Sequence, residues 1–213
     1  MSLPKKGLYV ITPNNLEAGE LYLKVEQALK GGISLLQYRD KSNPAEEKLQ
    51  RAKALHQLCI KHQVPLIIND DPELAFACQA EGVHLGQGDG SVSDARELLG
   101  EIAIIGVTCH HRPELALQAA KEGADYVALG RFFKSTSKPG ESLATAQLIT
   151  DMKKHIKKPV VAIGGITISN AESLVGAGAD YLAVIDSVFS QINIQEYCQR
   201  FSRIFNTHKE TQN

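Results

Sequence analysis

No stretch of the sequence approaches 18 uncharged apolar residues, so a membrane-spanning helix is not expected. Neither sign of charge dominates, with 23 lysines and arginines against 24 aspartates and glutamates. A formal net charge of −1 argues against a global nucleic-acid or polyanion binder, while leaving room for a local basic site. Cysteine is sparse: Cys59, Cys78, Cys109 and Cys198 are widely scattered and form no C-x-x-C pair. A disulfide framework is therefore not expected, and reduced thiols acting as small core residues in a cytoplasmic protein fit better. The opening MSLPKKGLYVIT has no small-residue cleavage site and is expected to belong to the fold rather than to a signal peptide.

What is present is 213 residues with 43% apolar and 22% charged side chains, enough to bury a core without staples. Eight short apolar runs punctuate the chain, at 7–12, 32–37, 65–70, 83–86, 103–108, 125–130, 159–164 and 180–185. Most are almost continuously apolar, as parallel strands covered on both faces must be. Helical signatures lie between them. Asn43 before Pro44, with Glu46, predicts a capped helix start, and Ala45, Leu49, Ala52, Leu55 and Cys59 fall on one predicted buried stripe. Asp71-Pro72 repeats the cap-plus-proline device, and Ser169 with Glu172 has capping-box spacing. Gly31-Gly32, Gly82, Gly123 and Gly178 are expected to end helices just before strands.

Gly-Ala-Asp-Tyr occurs at 123–126 and again at 178–181. Eight units at about 27 residues each suit a compact βαβ repeat, and no linker or composition break interrupts residues 1–213. The expectation is a single (β/α)8 TIM barrel of eight parallel strands, with an open doubly wound sheet as the alternative.

In such a barrel the chemistry sits beyond the C-terminal ends of the strands. Those positions hold Gln37-Tyr38-Arg39-Asp40-Lys41, Asn69-Asp70, Gly86-Gln87-Gly88-Asp89, Thr108-Cys109-His110-His111, Gly130 with the loop Arg131 to Gly140, Gly164-Gly165 and Asp186-Ser187. Arg39 and Lys41 share one face of an extended segment, and with Lys138 they suit a multiply charged anion; ordinary surface pairing is the bland alternative. Asp70 and Asp89 close adjacent strands, and two carboxylates so placed call for a shared proton or a cation such as Mg²⁺. Asp71 is assigned the helix cap, which leaves Asp70 for that task. Gly164-Gly165 opens a helix where a phosphate fits, or makes a plain tight turn. Ser135, Thr136 and Ser137 form either a lid or a flexible surface loop. Cys109 beside His110 and His111 offers no partner carboxylate, so neither a thiol nucleophile nor zinc is expected.

The sequence resembles the thiamine-phosphate synthase family through QYRDK (37–41), IND (68–70), VHLGQGD (83–89), GVT (106–108), SK (137–138) and AIGGIT (162–167). These segments run in order over nearly the whole chain. The resemblance implies a (β/α)8 barrel that joins an aminopyrimidine methyl diphosphate to a thiazole phosphate, releasing diphosphate with Mg²⁺. It places Gln37, Arg39, Lys41 and Asn69 on the pyrimidine diphosphate, with Lys138 on its leaving group; Tyr38 and Asp40 belong to the same motif and are counted with the substrate-binding set. Arg39, Lys41 and Lys138 carry the catalytic expectation, and Asp70 and Asp89 ligate Mg²⁺. Thr108 stands where the family usually has serine, near the pyrimidine. Ser135, Thr136, Ser137, Gly165 and the backbone at Ile185-Asp186 are assigned to the thiazole phosphate.

Three positions depart from the family pattern: Asp71 where arginine is usual, Arg131 where proline is usual, and Asp186 where serine is usual. Because a carboxylate repels phosphate, Asp186 is expected to point away or to pair with Arg131. Rival readings are a thiazole tautomerase-like barrel and a non-catalytic barrel that binds a phosphorylated metabolite. The expected partners are small molecules, without nucleic acid or membrane; a homo-oligomer is compatible with the sequence.

Overall fold

The computed structural model describes residues 1–134 and 143–210. Eight parallel strands alternate with helices in the order β1 (Gly7–Ile11), α1 (Ala18–Lys30), β2 (Leu35–Tyr38), α2 (Ala45–His62), β3 (Leu66–Asn69), α3 (Pro72–Cys78), β4 (Gly82–Leu85) and α4 (Val92–Leu99). The second half continues as β5 (Ile104–His110), α5 (Pro113–Lys121), β6 (Tyr126–Gly130), α6 (Ala146–His155), β7 (Val160–Ile163), α7 (Ile168–Gly176), β8 (Tyr181–Val184), α8 (Asp186–Phe189) and α9 (Ile194–Glu210). The strands pair in sequence order, and β1 closes on β8 through Gly7↔Tyr181 to Val10↔Val184. The chain is a closed (β/α)8 barrel, and the open-sheet alternative falls away.

The continuous apolar runs are explained by two cores. Along β1, Tyr9 and Ile11 face the barrel interior with Leu35, Ile67, Ile104, Val161 and Tyr181. Leu8 and Val10 face the helical layer, with Leu36, Ile68 and Val127. Successive strand residues point to opposite faces, and here both faces are dry.

The repeated Gly-Ala-Asp-Tyr does the same work twice. Asp125 accepts the Ile105 N–H at 2.8 Å and pairs with Arg96 at 2.8 Å. Asp180 accepts the Val160 N–H at 2.7 Å and pairs with Lys153 at 2.8 Å. Each aspartate therefore ties the start of the preceding strand to the helix packed beside it, and each tyrosine enters the barrel. Glu81 makes a third such tie, accepting the Leu66 N–H at 2.8 Å beside His56.

Several local expectations need correction. Helix α2 starts at Ala45 without a side-chain cap, because Pro44, which has no side-chain acceptor, holds the cap position expected of Asn43. Ala45 is exposed, whereas Ala52, Leu55 and Cys59 are buried. The capping box of α7 is formed by Thr167 and Asn170, two residues before the expected pair. Gly82 lies within β4 rather than before it. The Asp71 cap is present: its carboxylate accepts the Leu74 N–H at 2.8 Å. Strand β5 runs on to His110 with a register irregularity after Thr108, so Cys109 and His110 are strand residues rather than loop residues. The four cysteines are free and buried. Among the described residues no helix is long and apolar enough to cross a membrane.

Candidate active site

Interior-facing positions turn polar toward the C-terminal ends of β2 to β6. Gln37, His84 and Thr108 stand there on β2, β4 and β5, and a hydrogen-bonded run joins them to Tyr9 in the middle of β1 and Tyr126 at the start of β6. The Gln37 amide donates to the Tyr9 hydroxyl at 2.6 Å, which lies 2.8 Å from the Tyr126 hydroxyl. Tyr126 then meets His84 Nδ1 at 3.0 Å, and His84 Nε2 meets Thr108 Oγ1 at 2.7 Å. Burial holds both phenols above their ordinary range, so they stay neutral. The run is best satisfied when protons pass from Gln37 through Tyr9 and Tyr126 to His84 Nδ1, and from Nε2–H to Thr108. The opposite direction strands the proton of Tyr9 in the fully buried interior. The Thr108 hydroxyl proton is then left for a ligand at the mouth. Gly106 makes this possible: a Cβ there would lie 1.9 Å from the Tyr126 ring, which stacks on His84 at 5.6 Å between centroids.

The β2α2 segment supplies positive charge. Among the described residues the Arg39 guanidinium has no ion-pair partner, and Lys41 Nζ pairs with Asp70 Oδ2 at 3.1 Å. Tyr38 points outward into the helical core, and its hydroxyl donates to Asp40 Oδ2 at 2.7 Å. The Asp40 carboxylate therefore turns back on its own loop.

Asn69 ends β3 and Asp70 follows it, its N–H donating to the His84 carbonyl at 2.8 Å. Asp89 Oδ2 accepts the Gly86 N–H at 2.9 Å. Burial, followed by the facing carboxyl of Asp70, pushes the Asp89 carboxyl above its usual range, against the pull of the Gly86 N–H and Lys41. The expected carboxylate pair is thus brought together. A cleft of about 660 Å³ lined by Lys41, Lys48, Asp70, Asp89 and Asp94 opens beside it.

Across the mouth, Gly164 and Gly165 have φ of +106° and +62°. A Cβ on Gly165 would lie 2.4 Å from the Lys134 carbonyl, so close packing of the β6 loop demands glycine there. Ile185 packs against the interior core, and exposed Asp186 is the first residue of α8. Ser135, Thr136, Ser137 and Lys138 lie outside the described residues. Cys109 is fully buried, and burial pushes its thiol up to about 12, which removes it as a nucleophile.

Sequence reasoning missed His84, Tyr9 and Tyr126. A lone histidine inside VHLG reads as a core residue, and tyrosines in apolar runs read as packing. Strand parity was the available signal: Asn69 pairs in register with His84, which shares the inward face with Gln37 and Thr108.

A closed parallel barrel with Lys41 paired to one of two facing carboxylates at its C-terminal mouth, and an arginine two residues before it that has no ion-pair partner among the described residues, is of the class that suits phosphorylated small molecules. The family model described as thiamine monophosphate synthase matches residues 8–188, and the chain belongs to that family. A thiamine-phosphate synthase from Marinobacter nauticus is 50% identical over 207 residues, covering 96% of this chain and 93% of that one. The solved thiamine phosphate pyrophosphorylase from Pyrococcus furiosus is 31% identical with a TM-score of 0.84, over 95% of this chain and 96% of its own. The fold alone is shared with (S)-3-O-geranylgeranylglyceryl phosphate synthase from Thermoplasma acidophilum, at 16% identity, a TM-score of 0.72, and 95% and 94% coverage.

Proposed function

We propose that the barrel mouth joins an aminopyrimidine methyl diphosphate to a thiazole phosphate, giving thiamine phosphate and diphosphate. The observation that carries this reading is the meeting of the Lys41–Asp70 pair with Asp89 at one mouth, two residues on from Arg39, in a chain half identical to a named thiamine-phosphate synthase. The carbon–oxygen bond to the diphosphate breaks with its electrons leaving on oxygen. The aminopyrimidine stabilises the resulting cation, and the thiazole nitrogen donates its lone pair to form the new carbon–nitrogen bond. No protein nucleophile is required. Arg39, Lys41 and Lys138 offset negative charge on the leaving oxygens, while Gln37, Asn69 and Thr108 orient the pyrimidine.

Asp70 and Asp89 suit Mg²⁺, being hard oxygen donors that face each other, and the Asp89 carboxyl is pushed up by burial first and then by Asp70. Bound there, Mg²⁺ would supply charge neutralisation to the diphosphate. Gly165, Ile185 and Asp186, with Ser135, Thr136 and Ser137, are assigned to the thiazole phosphate. Asp186 is proposed to offer only its N–H. Replacing Asp186→Ser tests this, because a fall of about tenfold or more in KM for the thiazole phosphate would mean that the carboxylate faces the ligand. We place the reaction in the cytoplasm, a reading supported by the four free cysteines.

The test is an assay with both substrates and Mg²⁺, following thiamine phosphate and diphosphate together. Equal release of the two is expected. Binding without turnover, or thiazole isomerisation alone, would overturn the reading.

A further inference from the structure

Arg39 and Lys41 carry the charge, but their backbone is fixed by other residues. Thr12, fully buried just beyond β1, accepts the Arg39 N–H at 2.9 Å and donates its hydroxyl to the Arg39 carbonyl at 3.2 Å. Two residues on, Asn14 Oδ1 accepts the Lys41 N–H at 3.2 Å. Between these ties lies Asp40. Its Oδ1 accepts from the Ser42 N–H at 3.0 Å, the Asn43 N–H at 3.0 Å and the Ser42 hydroxyl at 3.2 Å. Its Oδ2 accepts from the Tyr38 hydroxyl and the Asn43 amide, both at 2.7 Å.

A carboxylate set between two cations would be expected to neutralise them. Here its oxygens are taken up by the loop, Lys41 pairs instead with Asp70, and Arg39 keeps its charge among the described residues. A hydroxyl in the dry surroundings of Thr12 is costly unless both its proton and its lone pairs are used, and both are used on one residue, Arg39. Valine would fill the same space without holding anything.

We propose that Thr12 and Asp40 are positioning residues that pre-set the Arg39–Lys41 backbone, so that the two cations meet a diphosphate without reordering of the loop. This rests on the functional reading above. A loop already ordered loses little conformational entropy when the anion arrives, and its charges are placed before the leaving oxygens develop theirs. In this role both residues act through the backbone between them, by the hydrogen bonds they make to it.

The test compares Thr12→Val, Thr12→Ser and Asp40→Asn in full steady-state kinetics, alongside calorimetric titration with inorganic diphosphate and Mg²⁺. Thr12→Val is expected to lower kcat/KM for the pyrimidine diphosphate, and the affinity for magnesium diphosphate, by about tenfold or more. KM for the thiazole phosphate should stay within about twofold, and Thr12→Ser, which keeps the hydroxyl, should recover to within about threefold. Asp40→Asn should shift the same quantities in the same direction, and it carries the comparison should Thr12→Val not fold. Unchanged diphosphate affinity in a folded variant overturns the proposal, as does an equal rise in KM for the thiazole phosphate, which would mark a general barrel defect. The binding arm needs no turnover. A wild-type chain that binds diphosphate but makes no thiamine phosphate sinks the functional reading, and the variants still decide the positioning claim.

Discussion

His84 Nε2 and Thr108 Oγ1 sit 2.7 Å apart on neighbouring strands, joining a buried ring to the one hydroxyl of the run that lies at the mouth. Thr108→Val keeps the shape but removes the acceptor of the His84 N–H and the proton offered to a ligand. Urea unfolding should show a loss of about 1–3 kcal/mol for the unpartnered group. Initial-rate kinetics should show kcat/KM for the pyrimidine diphosphate falling about tenfold or more, with most of both effects restored by Thr108→Ser.

The carboxylate pair predicts opposite behaviour with and without magnesium. The folded-state pKa of Asp89 is raised, by burial first and then by Asp70, so ionising Asp89 works against the fold once the pH exceeds the ordinary carboxylate range. At neutral pH without metal, Asp89→Asn should therefore melt higher than wild type. Adding Mg²⁺ should raise the wild-type Tm and leave that of Asp89→Asn nearly unmoved. A thermal shift series over magnesium concentration checks both statements, and a wild-type Tm indifferent to Mg²⁺ would count against the site.

Asp40 has the reverse sign. Burial opposes its charge, but hydrogen bonds from Asn43, Tyr38 and Ser42 outweigh that and hold the carboxyl well below its usual range. Its stabilisation is complete above the unfolded value of about 3.9 and is lost as the pH falls through the lowered folded value. The Tm difference between wild type and Asp40→Asn should be constant from about pH 5 upward and shrink under more acid conditions.

The thiols supply a control. Burial pushes Cys109 and Cys198 up to about 12, and Cys59 and Cys78 are raised by burial as well. A thiol-labelling reagent should react with none of the four at an appreciable rate until denaturant unfolds the chain, and Cys109→Ala should retain wild-type kcat. Rapid labelling of Cys109 in the native protein would contradict its placement.

The barrel was legible because most strand residues are buried on both faces, which leaves a mainly apolar run that sequence alone displays. Helix starts were less legible. Asn43 has good capping chemistry, but the helix begins one residue later with Pro44 at the cap position; at α7, Thr167 and Asn170 supply the same chemistry two residues earlier than Ser169 and Glu172. At the mouth, the facing of Asp70 and Asp89 followed from their places at the ends of adjacent strands. The task of Asp40 did not, because a carboxylate between two cations looks like a ligand-facing group until its five hydrogen-bond donors are seen. His84 stayed hidden because its role depends on Gly106 and Tyr126, which are distant in sequence and adjacent only once the barrel closes.

Leu3 packs against the barrel's inner core, and the Tyr181 hydroxyl donates to the Pro4 carbonyl, so the first residues lie beneath the strands, at the pole opposite the cations and carboxylates. Tethering the chain to a bead or sensor chip through residue 1 would therefore leave the reacting pole turned toward free solution. A few polar residues of spacer should then suffice for the immobilised barrel to turn over as it does when untethered.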